Sequence, residues 1–283
     1  MTPTDGRATD LRIAPIGDVL DRVERSLHVH LDRNTLVRKR RSIGARTNRD
    51  SWVRIERRPV EKILGQGWNG TECASALGGI AKPEWQESVS WRDPVEATMW
   101  RADETGLLPG PPIGSSVLAT DPQLPEAWWQ SLTTSLDALA GQDTTRVATP
   151  DTEVITQTLV TTTVQTAFPT RADTTIRRWS PAHADLNWAN ITAPHFCLFD
   201  WEDWGMAPRG LDSASLLGAS LAVPTLADRV RSERRDDLES RDGKVMTLFV
   251  FAKFAGADAH PDDPRVEPAR REAARIVSEL QSA

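Results

Sequence analysis

The stretch HADLNWANITAPHFCLFDWEDWGMAPRGLD, residues 183–212, decides how this chain reads. It opens with His183, Asp185, Leu186 and Asn190 in the spacing H-x-D-L-x-x-x-N. Two short apolar runs follow, Ala189–Thr192 and His195–Trp201, with the turn-forming pair Ala193–Pro194 between them. This predicts a tight hairpin with Asn190 at the mouth of one arm and Asp200 at the mouth of the other. Any one of these polar residues alone is an ordinary histidine or strand-end acid. Their value lies in their joint spacing.

The chemistry that needs such a set is phosphoryl transfer. It asks for a carboxylate beside the attacking hydroxyl and for oxygen ligands that hold Mg²⁺ beside the phosphates. The kinase catalytic loop carries these groups as H-x-D-L-x-x-x-N. Asp185 fits the carboxylate, while Asn190 and Asp200 offer the hard amide and carboxylate oxygens that Mg²⁺ prefers. The triplet Asp200–Trp201–Glu202 stands where protein kinases carry DFG.

HADLNWAN, then FDWEDWG, then PRGLD resembles the aminoglycoside phosphotransferase and choline kinase family, with its H-G-D-x-x-x-x-N, I-D-W-E-x-x-G and downstream Asp. The likeness is specific over residues 183–212 and general elsewhere. It implies an α+β, protein-kinase-like fold, with a small β-rich N-lobe and a larger helical C-lobe around a cleft. It implies ATP and Mg²⁺ as cofactors, Asp185 as catalytic base, and Asn190 and Asp200 as metal ligands. Asp212 is then an anchor at a helix start, and His183 a brace for the loop. Trp52–Val53–Arg54–Ile55 is similar to the strand that carries the family's nucleotide lysine, with Arg54 in its place and Glu72 as its expected partner. The choice between Arg54 and Arg57 stays open, because alternate residues of a strand face opposite sides. The backbone of Met99, Trp100 and Arg101 is expected to meet the adenine edge. Two features depart from the family: Ala184 replaces its usual Gly, and SIGARTNRD, as a phosphate-covering loop, has one Gly.

Outward from this motif, residues 16–28 place Ile16, Val19, Leu20, Val23 and Leu27 on one helical face. Strands are predicted at Thr35–Arg41, Ser51–Arg57, Trp85–Trp91 and Ala97–Ala102, with SIGARTNRD as a loop and TECASALGGI as a short helix. The segment LLPGPPIG, residues 107–114, is the clearest break, which puts the boundary between a nucleotide-binding lobe (1–103) and a catalytic, substrate-binding lobe (104–283) near Asp103. Downstream, helices are predicted over Pro125–Ala140, over Thr152–Phe168 despite its Thr and Val content, and over 265–281.

Composition narrows the class. The 283 residues, 39% of them hydrophobic, suit one large domain or two lobes. No apolar run approaches the roughly 18–20 residues that span a bilayer. MTPTDGRATDLRIAP lacks the apolar core of a secretory signal and reads as a frayed tail. Cys73 and Cys197 form no metal pattern and read as buried thiols, which points to a reducing, cytoplasmic setting. A net charge of −6 argues against a general nucleic-acid binder. The run Arg38–Arg41 reads as a solvated hairpin. His28–Val29–His30, a short zinc-like pattern, reads as a helix end. Eleven Trp, with no Tyr, are expected to be core anchors for the most part.

The expected partner is a small-molecule acceptor. Glu202, Asp203, Asp236, Asp237 and Glu239 favour a cationic one, such as an antibiotic amino sugar or an amino alcohol, over a nucleoside or a simple sugar. The alternative is a pseudokinase-like nucleotide-binding or interaction module without turnover. The replaced lysine and sparse Gly loop favour that alternative. The intact Asp185, Asn190 and Asp200 oppose it. The sequence carries no signal of oligomeric state.

Overall fold

The computed structural model describes residues 10–169 and 171–282. They divide into two compact units, one running up to Ser75 and continuing over Pro83–Leu108, the other comprising Ala76–Lys82 and the chain from Pro109 onward. The expected boundary at Asp103 falls inside a strand that continues to Gly106, so the division comes after Leu108.

The first unit starts with α1 (Gly17–Leu27) and continues through β1 (Val37–Arg38), β2 (Ser42–Arg46), β3 (Ser51–Pro59), the single-turn α2 (Gly70–Ala74), β4 (Trp85–Arg92) and β5 (Thr98–Gly106). The strands form an antiparallel sheet in the order β1-β2-β3-β5-β4. Strand alternation puts Ile43, Val53, Ile55 and Ala102 on one face, where they pack with Leu20, Val23 and Leu27 of α1. Burying such side chains contributes about 1.5–3 kcal/mol each. The tail reading falls outside the described residues for 1–9. From Asp10 on it is corrected: Leu11 lies in this core, and its N–H donates to the Arg40 carbonyl at 3.0 Å.

The opposite face is polar. Arg54 lies directly across from Asp103, and Glu56 across from Arg101. SIGARTNRD proves to be mostly strand β2, and the turn shrinks to the segment after Arg46, where Asp50 takes φ 53°. Its glycine is there for packing. A Cβ on Gly44 would lie 2.3 Å from the Trp52 ring, so Gly44 is the seat of that indole rather than a flexible phosphate cover. Thr35–Arg41 yields only the short β1, because Arg33–Thr35 winds into a 3₁₀ turn capped by Asp32. Arg38 of the basic run donates to the Leu11 and Ala14 carbonyls, and His28 closes α1 in a left-handed conformation, φ 54°.

The second unit holds α3 (Glu126–Ala140), α4 (Gln157–Ala167), β6 (Trp179–Ala182), β7 (Gly205–Pro208) and α5 (Leu211–Ser220). These are followed by α6 (Pro224–Glu233), α7 (Arg235–Leu238), α8 (Arg241–Ala255) and α9 (Val266–Ser282). The ambiguous Thr-rich segment is helical because the Thr156 hydroxyl caps α4 at Leu159 N–H (3.1 Å) and Val160 and Val164 are buried. Helix α8 buries Val245, Met246, Leu248 and Phe251, as a core helix should. Helix α5 lies close against it: a Cβ on Gly218 would sit 2.9 Å from the Val250 side chain.

Candidate active site

Strands β6 and β7 pair antiparallel, Ala182 opposite Gly205, and so fix the two ends of the segment that carries the motif. The expected hairpin is present but loosely paired. Ile191 and Leu198 bridge, Thr192 N–H donates to the Cys197 carbonyl (3.2 Å), and Phe199 N–H donates to the Asn190 carbonyl (3.0 Å). Regular strands do not extend further, because Trp188–Asn190 is a 3₁₀ turn and Asp200 takes φ 68°. The bond from Phe199 to Asn190 brings the Asp200 end of the segment back to the metal-ligand candidate Asn190, as the spacing predicted.

Asp185 is gripped from both sides. Asn190 Nδ2 donates to its carbonyl (2.9 Å) and its Oδ2 (2.7 Å). Asn187 Nδ2 donates to the same carbonyl (3.1 Å) and to Oδ1 (3.0 Å). The residue remains open to solvent at one side, yet protein crowds its carboxylate. That partial desolvation is the main force pushing its pKa up to about 6. The charges of Asp200 and Asp203 push the same way, and the two amide donors resist. Asn187 is a residue of this cluster that motif reading missed, since it falls on a variable position. Its signal was local: an Asn starting a tight turn, its Oδ1 accepting from Ala189 N–H at 3.0 Å.

The loop backbone hangs on Asp212. Its two oxygens accept the N–H groups of His183 (2.7 Å) and Ala184 (2.9 Å) from the first turn of α5. Burial pushes the Asp212 carboxyl up to about 6 against the pull of these two donors. His183 is fully buried beneath the loop, its ring edge-on to Trp201 at 4.8 Å. Burial depresses its pKa to about 4, so the ring is neutral, and Nε2 as the protonated nitrogen donates to the Phe199 carbonyl at 3.0 Å. Nδ1 is then an acceptor with no partner. Ala184, in the family's Gly place, has φ 69°, a left-handed conformation that disfavours a Cβ.

Beneath the turn lies an aromatic cluster. Trp128, Trp129 and Trp188 are nearly inaccessible and contact one another, and Phe196 meets Trp128 edge-on at 5.2 Å. The Trp188 indole donates to Ser220 Oγ (3.0 Å), and the Trp128 indole to the Thr192 carbonyl (2.8 Å). These tryptophans are core anchors, as composition suggested. Cys197 is buried, which pushes its thiol up to about 12, an inert state.

The first unit corrects several expectations. Glu72 pairs with Arg101 of β5 at 2.9 Å, not with Arg54. Arg101 is buried and also grips Asp103 through two bonds (2.7 and 2.6 Å). Arg54 reaches Glu56 at 3.9 Å on the same polar face. Arg57 lies on the other face, over the Trp100 ring and paired with Glu96, so of the two arginines only Arg54 shares a face with Arg101. Met99, Trp100 and Arg101 do not present a free backbone edge. They sit mid-strand, with β3 on one side and β4 on the other, and the Trp100 ring stacks on Trp91 in the core. The chain leaves β5 only after Gly106. In the second unit Asp237 is not available to a cationic ligand either, since Arg234, Arg209 and Ser213 all bind it.

Among the described residues no helix is long and apolar enough to cross a membrane, and no group of three or more His, Cys, Asp or Glu gathers as a metal cluster. No family model matches the chain, and no curated protein matches it in sequence. Solved structures do match. The aminoglycoside phosphotransferase APH(4)-Ia aligns with a TM-score of 0.55 at 12% identity, over 95% of this chain and 98% of that one. The gentamicin complex of APH(2")-IIa aligns with a TM-score of 0.56 at 11% identity, over 96% and 97% of the two chains. A GDP and kanamycin complex of a further APH(2") enzyme gives a TM-score of 0.56 at 12% identity, over 95% and 97%. This chain therefore has the protein-kinase-like fold of aminoglycoside phosphotransferases.

Proposed function

We propose that this chain is an ATP-dependent phosphotransferase that moves the γ-phosphoryl group onto a hydroxyl of a small molecule, with cationic antibiotics and amino alcohols as the leading acceptor classes. The observation that carries the reading is the clamp on Asp185: both of its oxygens are oriented by amides, on a backbone that Asp212 suspends. A surface acid without a task needs no such scaffold. In this reading the first unit binds nucleotide, and the second supplies the catalytic and acceptor groups.

Asp185 takes the hydroxyl proton as the acceptor oxygen attacks. The transition state is loose, so orientation of the carboxylate matters more than its strength as a base. The donor chemistry fits Mg²⁺. Asn190 turns its NH₂ wholly toward Asp185, which leaves its side-chain oxygen for a cation, and Asp200 adds a carboxylate. A magnesium site of one or two protein oxygens completed by phosphates is the usual pattern. The negative charge that raises Asp185 is charge a cation would offset. Bound there, Mg²⁺ would neutralise charge on the transferring phosphate. Arg54 is the proposed cation for the inner phosphates, while Arg101 holds Glu72 and thereby α2. Backbone for the adenine edge is sought from Leu107 onward, where the chain has left the β5 ladder. Glu202 and Asp203, next to Asp200 in the chain, are the acids proposed to draw a cationic acceptor.

The test is a phosphorylation screen with ATP and Mg²⁺ over aminoglycosides, other antibiotics, amino alcohols and nucleosides, run with wild type and Asp185→Asn. Transfer to one acceptor class is expected. Asp185→Asn should lower kcat by about 10²–10⁴-fold with ATP affinity little changed. A wild type that binds ATP yet phosphorylates nothing in the panel would replace this reading with a non-catalytic nucleotide-binding module.

A further inference from the structure

A recess lies wholly within the helical unit, and it meets the Asp185 loop only at Ala182 and at the anchor Asp212. It encloses about 620 Å³ between the end of α3, strand β6, the turn into α5, and α7. That volume falls in the range of about 300–1,000 Å³ usual for small-molecule sites.

Its floor is already satisfied. Arg234 binds Asp137 (2.9 Å) and Asp237, and Ser213 donates to Asp237 (2.8 Å). Its β6 wall is different. Arg178 has both backbone groups fixed: its N–H donates to Asp242 (2.7 Å), and its carbonyl accepts from Arg209 N–H (3.0 Å). Its guanidinium has no ion pair or hydrogen bond among the described residues; that of Arg177 makes neither, though its charge helps to hold the Asp173 carboxyl below the usual range. Next to them Trp179 is 37% exposed, with no ring contact and no partner for its indole N–H among the described residues. It differs in this from the tryptophans packed under the catalytic turn. Ser180 also lines the recess, and its hydroxyl has no hydrogen-bond partner among the described residues.

Fixed backbone with unspent side-chain donors is what a receptor wall requires, because the chain is ordered before any ligand arrives. Two guanidinium groups and a hydroxyl suit the oxygens of a phosphate. An open indole suits a flat ring. The chain as a whole carries −6, so a wall rich in unpaired arginine runs against its average charge. We propose that this recess binds a small planar organic anion, a flat ring bearing a phosphate group. The ring stacks on Trp179, and the phosphate is held by Arg177, Arg178 and Ser180. Asp185, Asn190 and Asp200 do not line the recess, and the proposal does not depend on the phosphotransferase reading.

The probe is 1-naphthyl phosphate, titrated calorimetrically into the full-length chain, with 1-naphthol and inorganic phosphate as the two half-ligands. The variants are Arg178→Ala and Trp179→Ala, at exposed positions, each checked for an unchanged thermal transition. Arg178→Gln, which keeps most of the side chain, replaces any variant that fails this check. The expected result is saturable binding of 1-naphthyl phosphate, weakened about tenfold or more by each substitution, with both half-ligands weaker than the whole. No binding up to millimolar probe overturns the site. So does binding that persists in both variants and vanishes in Arg54→Ala, which would put the probe in the first unit. Equal binding of inorganic phosphate, insensitive to Trp179→Ala, overturns the assignment to a planar ligand.

Discussion

The Asp185 loop and the five-stranded sheet both hold charge away from water, and they do so by opposite means. Around Asp185 the partners are near in sequence: Asn187 and Asn190 supply four donor contacts, and only Asp212 comes from afar. On the sheet, Asp103 aside, the partners come from other segments: α2, the turn before β3, and β3 itself. Arg101 binds Glu72 and Asp103, and buried Glu104 accepts from Arg49 and Ser51. A one-residue slip between β3 and β5 would turn Arg101 toward the α1 core and Ala102 to the polar side. The loop has no register to slip. Motif spacing therefore encodes chemistry where contacts are local, and it is silent about ion pairs between distant segments, such as Arg101–Glu72 and Arg49–Glu104.

This contrast predicts that loop substitutions strike turnover and sheet substitutions strike stability. The largest effect belongs to Asp200→Ala, which removes a proposed Mg²⁺ ligand and with it several kcal/mol of transition-state stabilisation. Steady-state kinetics should show turnover all but lost while the thermal midpoint hardly moves. Activity within twofold of wild type would take Asp200 out of the machinery.

Next comes Arg101→Leu. It strands the largely buried Asp103 carboxylate and should lower stability by about 3 kcal/mol in denaturant unfolding. Glu72 is 43% exposed at its side chain, so Glu72→Gln should lose under about 1 kcal/mol. Equal losses from both would mean that Glu72, not Asp103, is the partner that matters.

The third effect is a pH response within the loop. His183 has its folded pKa depressed to about 4 from a free value of 6.5. Between these values the unfolded chain binds a proton that the folded chain refuses. The contribution of His183 is thus full above pH 6.5 and is lost as pH falls toward 4, up to about 3 kcal/mol. Asp212, raised to about 6, acts with the opposite sign over an overlapping window, so the wild-type curve hides both. The difference curve between wild type and His183→Asn exposes the histidine: the variant should lose less stability from pH 6.5 to 4. Parallel curves would contradict a buried neutral ring.

The smallest effect is Ala184→Gly, which relieves a left-handed Ala at the expense of a more flexible unfolded chain. A net gain of up to about 1 kcal/mol is expected by thermal melting. A clear loss would show that the methyl group packs usefully.

What the sequence made legible follows the same division. His183, Asp185 and Asn190 meet within one short loop, and the Phe199–Asn190 bond returns the Asp200 end of the segment to it, because a short loop leaves few ways to arrange them; Asp212 joins from the first turn of α5. Helix α1 was readable from its apolar stripe and α3 from its ends. Strand β2 was hidden because SIGAR offers small and polar residues to one face, where Trp52 covers Gly44 from the neighbouring strand. The length of β5 was hidden because Asp103, Glu104 and Thr105 look like a chain end, although Asp103 is held by Arg101 of the same strand and Glu104 by Arg49 of the turn before β3. The Arg101–Glu72 pair could not be found from Arg54, since nothing in a single strand says which cation on its neighbour reaches further.

The left-handed Ala184 has a consequence in the gene. Alanine and glycine codons differ only at the second base, so the relaxed loop lies a single nucleotide change away. A randomly mutagenised library will contain it from the first round. If heat selection enriches that clone while acceptor turnover declines, the backbone tension at this position serves the reaction at the expense of endurance. If both traits rise together, the methyl group is merely inherited.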